Sequence, residues 1–419
     1  MTPEKQPRST HGSKPVIAID RYRDNALIDA CGEILSPHQT AARLTYLPPR
    51  PSANDLGLPA HLRLHAPLDL WRLRLPTPAG LAFAQSLDIM IRQGYVDRCP
   101  LDPATWRRIY ERGAFESALR SIQLGASVVG LSGTGKTSAI EGALALKPQV
   151  VVHERFPHLI GPVQQLIWLK LDVPSSGTLA ELVLAFAYAA DRALNTNYAS
   201  QLGKGRERAD SMARRWLTLI ESHFPGVLVL DELQNLFKIE TKAVRRAERH
   251  FHDGPVLRIK DDDALKFILT IMNSSKIPIV VCSTPDGISA LGTRTSTSQR
   301  LVTNGYHDFP HAASSDDEFF RKVFFPQLQN YRWLPEGLTN STEMRNLFYR
   351  LTAGIPRIGV ALWVHANQRA ISRHALRLAD EDFQHAASHA LAPLAPAVQA
   401  LLSGDPARMR RYEDLLPSK

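Results

Sequence analysis

The chain has 419 residues, 44% hydrophobic and 22% charged, and its 50 basic against 41 acidic side chains give a net charge of +9. That length implies two or three structural units, and the basic balance favours polyanionic partners. No apolar run approaches a membrane span, no apolar segment follows Met1, and Cys31, Cys99 and Cys282 lie far apart, which argues against a membrane protein, a secretory signal and a zinc cluster and predicts a cytoplasmic location.

Residues 1–20 are polar and read as a disordered tail. Residues 21–60 hold a short apolar segment and the proline-rich Leu47-Pro48-Pro49-Arg50-Pro51, which predicts extended chain with little helix. Helical spacing returns over 79–115, with Leu81, Phe83, Leu87 and Ile91, then Trp106, Ile109 and Tyr110. Residues 21–115 are therefore taken together as an N-terminal docking or adaptor region. From 116 to 311 short apolar runs alternate with helical periods. Strands are predicted at Ala126–Val129, Gln149–Val152, Gln165–Leu171, Val227–Leu230 and Ile277–Val281. Helices are predicted at Lys136–Leu146, Leu179–Leu194, Arg208–Ser222 and Ala264–Asn273. This alternation means an α/β fold, a parallel sheet flanked by helices. Residues 312–419 read as a helical lid and C-terminal tail, with helices at Phe319–Leu328, Thr342–Leu351, Ile358–Arg369 and Phe383–Leu391.

Gly130-Leu131-Ser132-Gly133-Thr134-Gly135-Lys136-Thr137 fits the phosphate-loop pattern at every fixed position, between a predicted strand and a predicted helix. Its glycines let backbone N–H groups cradle phosphate oxygens at a helix N-terminus. Gly130, Ser132, Gly133, Thr134, Gly135, Lys136, Thr137 and Ser138 are the nucleotide-binding candidates, with Lys136 reaching the β- and γ-phosphates. Val227–Leu230 ends in Asp231-Glu232. In P-loop proteins such a strand brings its carboxylate beside the phosphates, so Asp231 with Thr137 would hold magnesium and Glu232 would orient the attacking water. Ile277–Val281 leads to Ser283 and Thr284, either of which fits between the other strand tips; Thr284 is preferred. Arg300, with Arg294 as its rival, fits an arginine supplied to a neighbouring subunit. ATP and Mg2+ are the expected cofactors.

The order of phosphate loop, carboxylate strand, polar-tipped strand, arginine and helical lid resembles an AAA+ ATPase. The flanks resemble the TnsC branch of the TnsC/TniB transposition ATPases. The matching stretches are Tyr22-Arg23-Asp24-Asn25-Ala26-Leu27-Ile28-Asp29-Ala30, Arg92-Gln93-Gly94-Tyr95-Val96-Asp97-Arg98, Asp231-Glu232-Leu233-Gln234-Asn235-Leu236, Leu351-Thr352-Ala353-Gly354-Ile355-Pro356 and the ending Ala400-Leu401-Leu402-Ser403-Gly404-Asp405. Ala26 departs from the usual proline and Cys99 from the usual asparagine. The resemblance implies an ATP-dependent regulator of DNA transposition. Such a regulator binds double-stranded DNA, oligomerises with ATP as a ring or filament, and links a target-selection protein to the transposase. It also matches Glu232 and Arg300 to the water-positioning acid and the arginine finger, and offers Arg357 as a second sensor from the lid. Basic residues Lys204 and Arg206, and Arg245 and Arg246, are candidate DNA contacts, as are Ser176 and Thr178 in the loop after a sheet strand. The competing expectations are a replication- or repair-type AAA+ loader and a nucleotide-gated DNA-binding adaptor with negligible turnover.

Overall fold

The computed structural model describes residues 19–110, 123–203, 207–239, 257–292, 295–336 and 342–409. Its centre is a five-stranded parallel sheet of β1 (Gly125–Val129), β4 (Trp168–Asp172), β5 (Val227–Asp231), β8 (Ile279–Ser283) and β9 (Tyr306–Asp308), in the order β4-β5-β8-β1-β9. The three inner strands are buried along their whole length. Their side chains alternate between faces. Leu228, Leu230, Ile279 and Val281 enter one core with the helices Leu179–Leu194, Ala209–Glu221 and Asp262–Thr270. Ala126, Val128, Val227, Val229 and Val280 enter a second core with the helices Pro78–Val96 and Lys136–Ala145. A third core, built on Phe320, Phe325, Phe348, Trp363 and Phe383, belongs to the helical unit after the sheet.

Several elements differ from the sequence expectation. Residues 21–60 hold three short helices, Ala26–Asp29, Pro37–Leu44 and Ala53–Gly57, where extended chain was expected. Local capping explains the last two. Ser36 and Gln39 form a capping box ahead of Pro37, and Ser52 and Asp55 form another. The expected strand Gln165–Leu171 is broken at Ile167. Its first part, β3 (Val163–Leu166), pairs antiparallel with β2 (Val150–His153) in a separate hairpin, and only β4 joins the main sheet. The third apolar strand begins two residues late, because Pro278 has no N–H to give the ladder and serves only through its carbonyl, which accepts from Leu228 N at 2.9 Å. The edge strand β9 and the helix Ala395–Ser403 were not expected.

The helix Pro78–Val96 ties the N-terminal segment to the sheet. Thr77 caps it, accepting from Gly80 N at 3.0 Å. Near its far end Arg92 is fully buried. Its Nε donates to both oxygens of Asp88 at 3.0 and 3.1 Å, and its Nη atoms donate to the carbonyls of Ile28 at 3.3 Å, Gly32 at 2.8 Å and Glu33 at 3.3 Å. Asp88 also pairs with Lys147. Truncating Arg92 would leave those carbonyls without their donor and Asp88 with Lys147 alone. Arg92→Ala is expected to lose about 3 kcal/mol or more of stability, read from the urea unfolding midpoint; a loss below about 1 kcal/mol would show that the segment does not depend on this side chain.

Candidate active site

The phosphate loop leaves β1 at the C-terminal edge of the sheet and enters the helix Lys136–Ala145. Gly133 and Gly135 carry φ of +85° and +97°, a left-handed backbone that side chains resist. Lys136 folds back over the loop, its Nζ donating to the carbonyls of Gly130 at 2.6 Å and Leu131 at 2.9 Å. Thr134 is buried, and its hydroxyl donates to Leu131 O at 2.9 Å; Ser132 and Ser138 are exposed.

Asp231 ends β5 and is 2% exposed. One oxygen, Oδ2, accepts from Thr137 Oγ1 at 3.0 Å, and the other accepts from the backbone N–H of Glu232 at 3.0 Å. Glu232 follows in a left-handed conformation, φ 56°, which is strained for a side-chain-bearing residue. Loss of hydration and the Asp231 charge raise its carboxyl above the usual glutamate value, against the pull of Lys136. β8 lies between β1 and β5, so its tip stands between the loop and the two acids. There Ser283 donates to Gln234 Oε1 at 3.3 Å, while the buried Thr284 hydroxyl has no hydrogen-bond partner among the described residues.

Arg357 opens the helix Pro356–Ser372 and reaches the same loop: its N–H donates to Gly133 O at 3.3 Å. Beside them opens a cleft of about 450 Å³ whose lining includes Gly135, Ser138 and Arg357 together with Trp71, Arg74 and Pro76. Arg300 stands elsewhere. It closes the helix Thr295–Leu301 beside Gly125, at the start of β1. The strand's 5 residues, at about 3.3 Å each, keep it away from the phosphate loop of its own chain. Ser176 and Thr178 lie in the loop after β4, where Ser176 donates to Glu181. Arg294, Lys204, Arg206, Arg245 and Arg246 lie outside the described residues.

Three features escaped sequence reasoning. Lys170 of β4 contacts Asp231 Oδ2 at 3.3 Å, and Asp172 and Glu141 at 3.4 Å each. Burial alone would lower its pKa, but the three carboxylates outweigh burial and raise it. Gln234 joins the two halves of the site, donating to Glu232 and accepting from Ser283. The cleft wall at 71–77 comes from the N-terminal region and has no motif. Two of them left traces: Lys170 is a polar step between Leu169 and Leu171, and Gln234 lies in the matching stretch Asp231–Leu236, though neither was given a role.

Residues 123–291 match the AAA domain family. The fold is a P-loop NTPase of AAA+ type with a helical C-terminal unit. No curated protein matches the sequence. Among solved structures, the Aeropyrum pernix ORC2 protein in its ADP form is similar at 11% identity, over 68% of this chain and 72% of that one, with a TM-score of 0.39. Drosophila ORC bound to DNA is similar at 17% identity, over 78% of this chain and 70% of that one, with a TM-score of 0.34. No helix among the described residues is long and apolar enough to cross a membrane.

The loop's first glycine is fixed by its surroundings. A Cβ at Gly130 would lie 2.5 Å from Phe309 O and 2.9 Å from Thr134 Oγ1. Gly130→Ala is expected to cost about 1–3 kcal/mol in thermal unfolding; an unchanged melting temperature would mean the strand-to-loop junction is slack.

Proposed function

We propose that this chain is an ATP-hydrolysing regulator of DNA transposition of the TnsC/TniB kind, acting as a nucleotide-dependent oligomer on double-stranded DNA. The observation that carries the catalytic part is the hydrogen bond between Thr137 and Asp231, which joins the phosphate loop to the carboxylate strand. A hydroxyl and a buried carboxylate oxygen 3.0 Å apart are hard donors that suit Mg2+ shared with phosphate oxygens. When bound, the ion would neutralise phosphate charge. Lys136 would turn from the loop carbonyls to the β- and γ-phosphates. Glu232 would accept the hydrogen bond of the attacking water, with Gln234 setting its direction. The Thr284 hydroxyl would meet the γ-phosphate or that water, and Arg357 would approach the nucleotide from the lid. Arg300, at the far end of β1, would serve the site of a neighbouring subunit.

The transposition reading rests on the flanking segments. Tyr22–Ala30 and Arg92–Arg98 carry the resemblance, and they meet: Asn25 Nδ2 donates to Tyr95 O at 2.8 Å, and Arg92 holds Ile28 O. A DNA surface has support from another contact. Lys260 Nζ donates to Ser175 O at 2.6 Å, seating the loop of Ser176 and Thr178 against the hairpin of β6 (Phe237–Ile239) and β7 (Leu257–Ile259). The sequence joining β6 to β7 contains Arg245 and Arg246. The target-selection protein and transposase of the same element complete the proposed partners.

Electron microscopy of the full chain with duplex DNA tests the proposal. Ordered assemblies are expected with ATP or a non-hydrolysable analogue and not without nucleotide; Lys136→Ala should abolish them. Their absence under all conditions would overturn the reading. Glu232→Gln is expected to bind ATP normally and lose turnover by about 100-fold or more, with longer-lived DNA complexes; wild-type turnover would remove Glu232 from the role. Arg300→Ala alone should hydrolyse poorly, yet mixing it with Glu232→Gln should restore part of the activity, because one mixed interface then holds an intact site. Continued inactivity of a proven co-assembly would end the trans assignment.

A further inference from the structure

Lys170 has no place in the catalytic scheme above, yet its ammonium shares Asp231 Oδ2 with the Thr137 hydroxyl, at 3.3 Å against 3.0 Å. Its side chain is 17% exposed and that of Asp231 3%, so the attraction is only partly screened by water. Asp172 and Glu141 hold the amine from the solvent side, each at 3.4 Å. A lysine restrained by three carboxylates has lost its freedom to swing away. Parallel pairing of β4 with β5 sets the distance, since Lys170 lies opposite Val229 and Asp172 opposite Asp231.

We infer that Lys170 is a built-in counter-charge of the nucleotide site, a positioning residue that acts through Asp231 and makes phosphate binding only partly dependent on magnesium. The inference rests on the nucleotide-binding reading of this site. The sign follows from Coulomb's law. Without a metal ion, the Asp231 carboxylate repels the phosphates that the loop gathers, and Lys170 cancels much of that repulsion. With a metal ion, Asp231 attracts it and Lys170 opposes the same ion. Because its repulsion of the ion offsets its attraction to the phosphates, neutralising Lys170 weakens nucleotide binding more in the absence of magnesium than in its presence.

The measurement is ATP affinity of the full chain by calorimetry, once in saturating magnesium chloride and once in EDTA. The ratio of the two dissociation constants is the readout. In Lys170→Met the ratio is expected to grow about tenfold or more, and Lys170→Arg, which keeps the charge, should return it towards the wild-type value. If Lys170→Met does not fold, Lys170→Gln keeps a donor to Asp231 without the charge and carries the same expectation. A ratio that stays within about twofold of wild type in the neutral variant makes Lys170 a structural ion pair only and overturns the inference while leaving the nucleotide site intact. A wild-type chain that binds ATP in neither buffer overturns the nucleotide-site reading and this inference with it.

Discussion

β8 pairs with β1 on one side and β5 on the other, so that Ser283 stands opposite Val129 and Val281 opposite Leu230. Parallel strands in this register end together. The phosphate loop, the pair Asp231 and Glu232, and the polar tip of β8 therefore emerge at one sheet edge. None of these groups lies near another in sequence. Their proximity depends on apolar inner strands, which bury both faces and tolerate no slip, because a one-residue shift would exchange the residues of the two cores. The same register keeps Arg300 at the opposite end of β1.

The edge is also an electrostatic balance. Asp231 is buried and charged, which is costly without partners. Thr137, the Glu232 backbone and Lys170 supply them. The neighbouring Cys282 thiol is held well above its ordinary pKa, chiefly by burial and then by the Asp231 charge, so it adds no further anion to the carboxylates there. Glu232 occupies a strained backbone position and is tethered through Gln234 to Ser283. A residue held in a sparsely populated conformation by its neighbours is compatible with the water-orienting role proposed for it.

The phosphate loop was legible because its requirements are backbone requirements, and glycine at Gly133 and Gly135 states them directly. The inner strands were legible because burial on both faces favours a largely apolar run, broken in β1 only by Ser127, whose hydroxyl donates to Leu301 O at 2.9 Å. β9 was not, since Tyr306-His307-Asp308 lies at the edge with two exposed residues and no apolar signal. The β2–β3 hairpin was misjudged because an apolar run says that a segment is a strand and not which strand it pairs with. The break at Ile167 is a tertiary decision: its N–H goes to Gln149 O, while Gln165 is drawn to Leu27 O. Lys170 and the cleft wall at Trp71 and Arg74 have meaning only through contacts distant in sequence. Domain limits at 21–115 and 116–311 remain proposals, and the cleft draws lining from both sides of that division.

That shared lining gives the helix Pro78–Val96 a mechanical meaning. Its 19 residues span about 28 Å. At one end its cap Thr77 lines the cleft. Near the other, Arg92 grips the carbonyls of Ile28, Gly32 and Glu33, and Tyr95 donates to Phe224 O beside the start of β5. In between, Ser86 and Asn304 bond to each other beside β9. A helix anchored at so many points does not bend locally at low cost. Any displacement of the cleft wall has to break those bonds or move the helix as a body, carrying Tyr22–Ala30 with it. The N-terminal segment and the cleft are thus parts of one packed unit, and the bonds to Ile28, Gly32, Glu33 and Phe224 end on backbone carbonyls, which survive most substitutions of the residues that carry them.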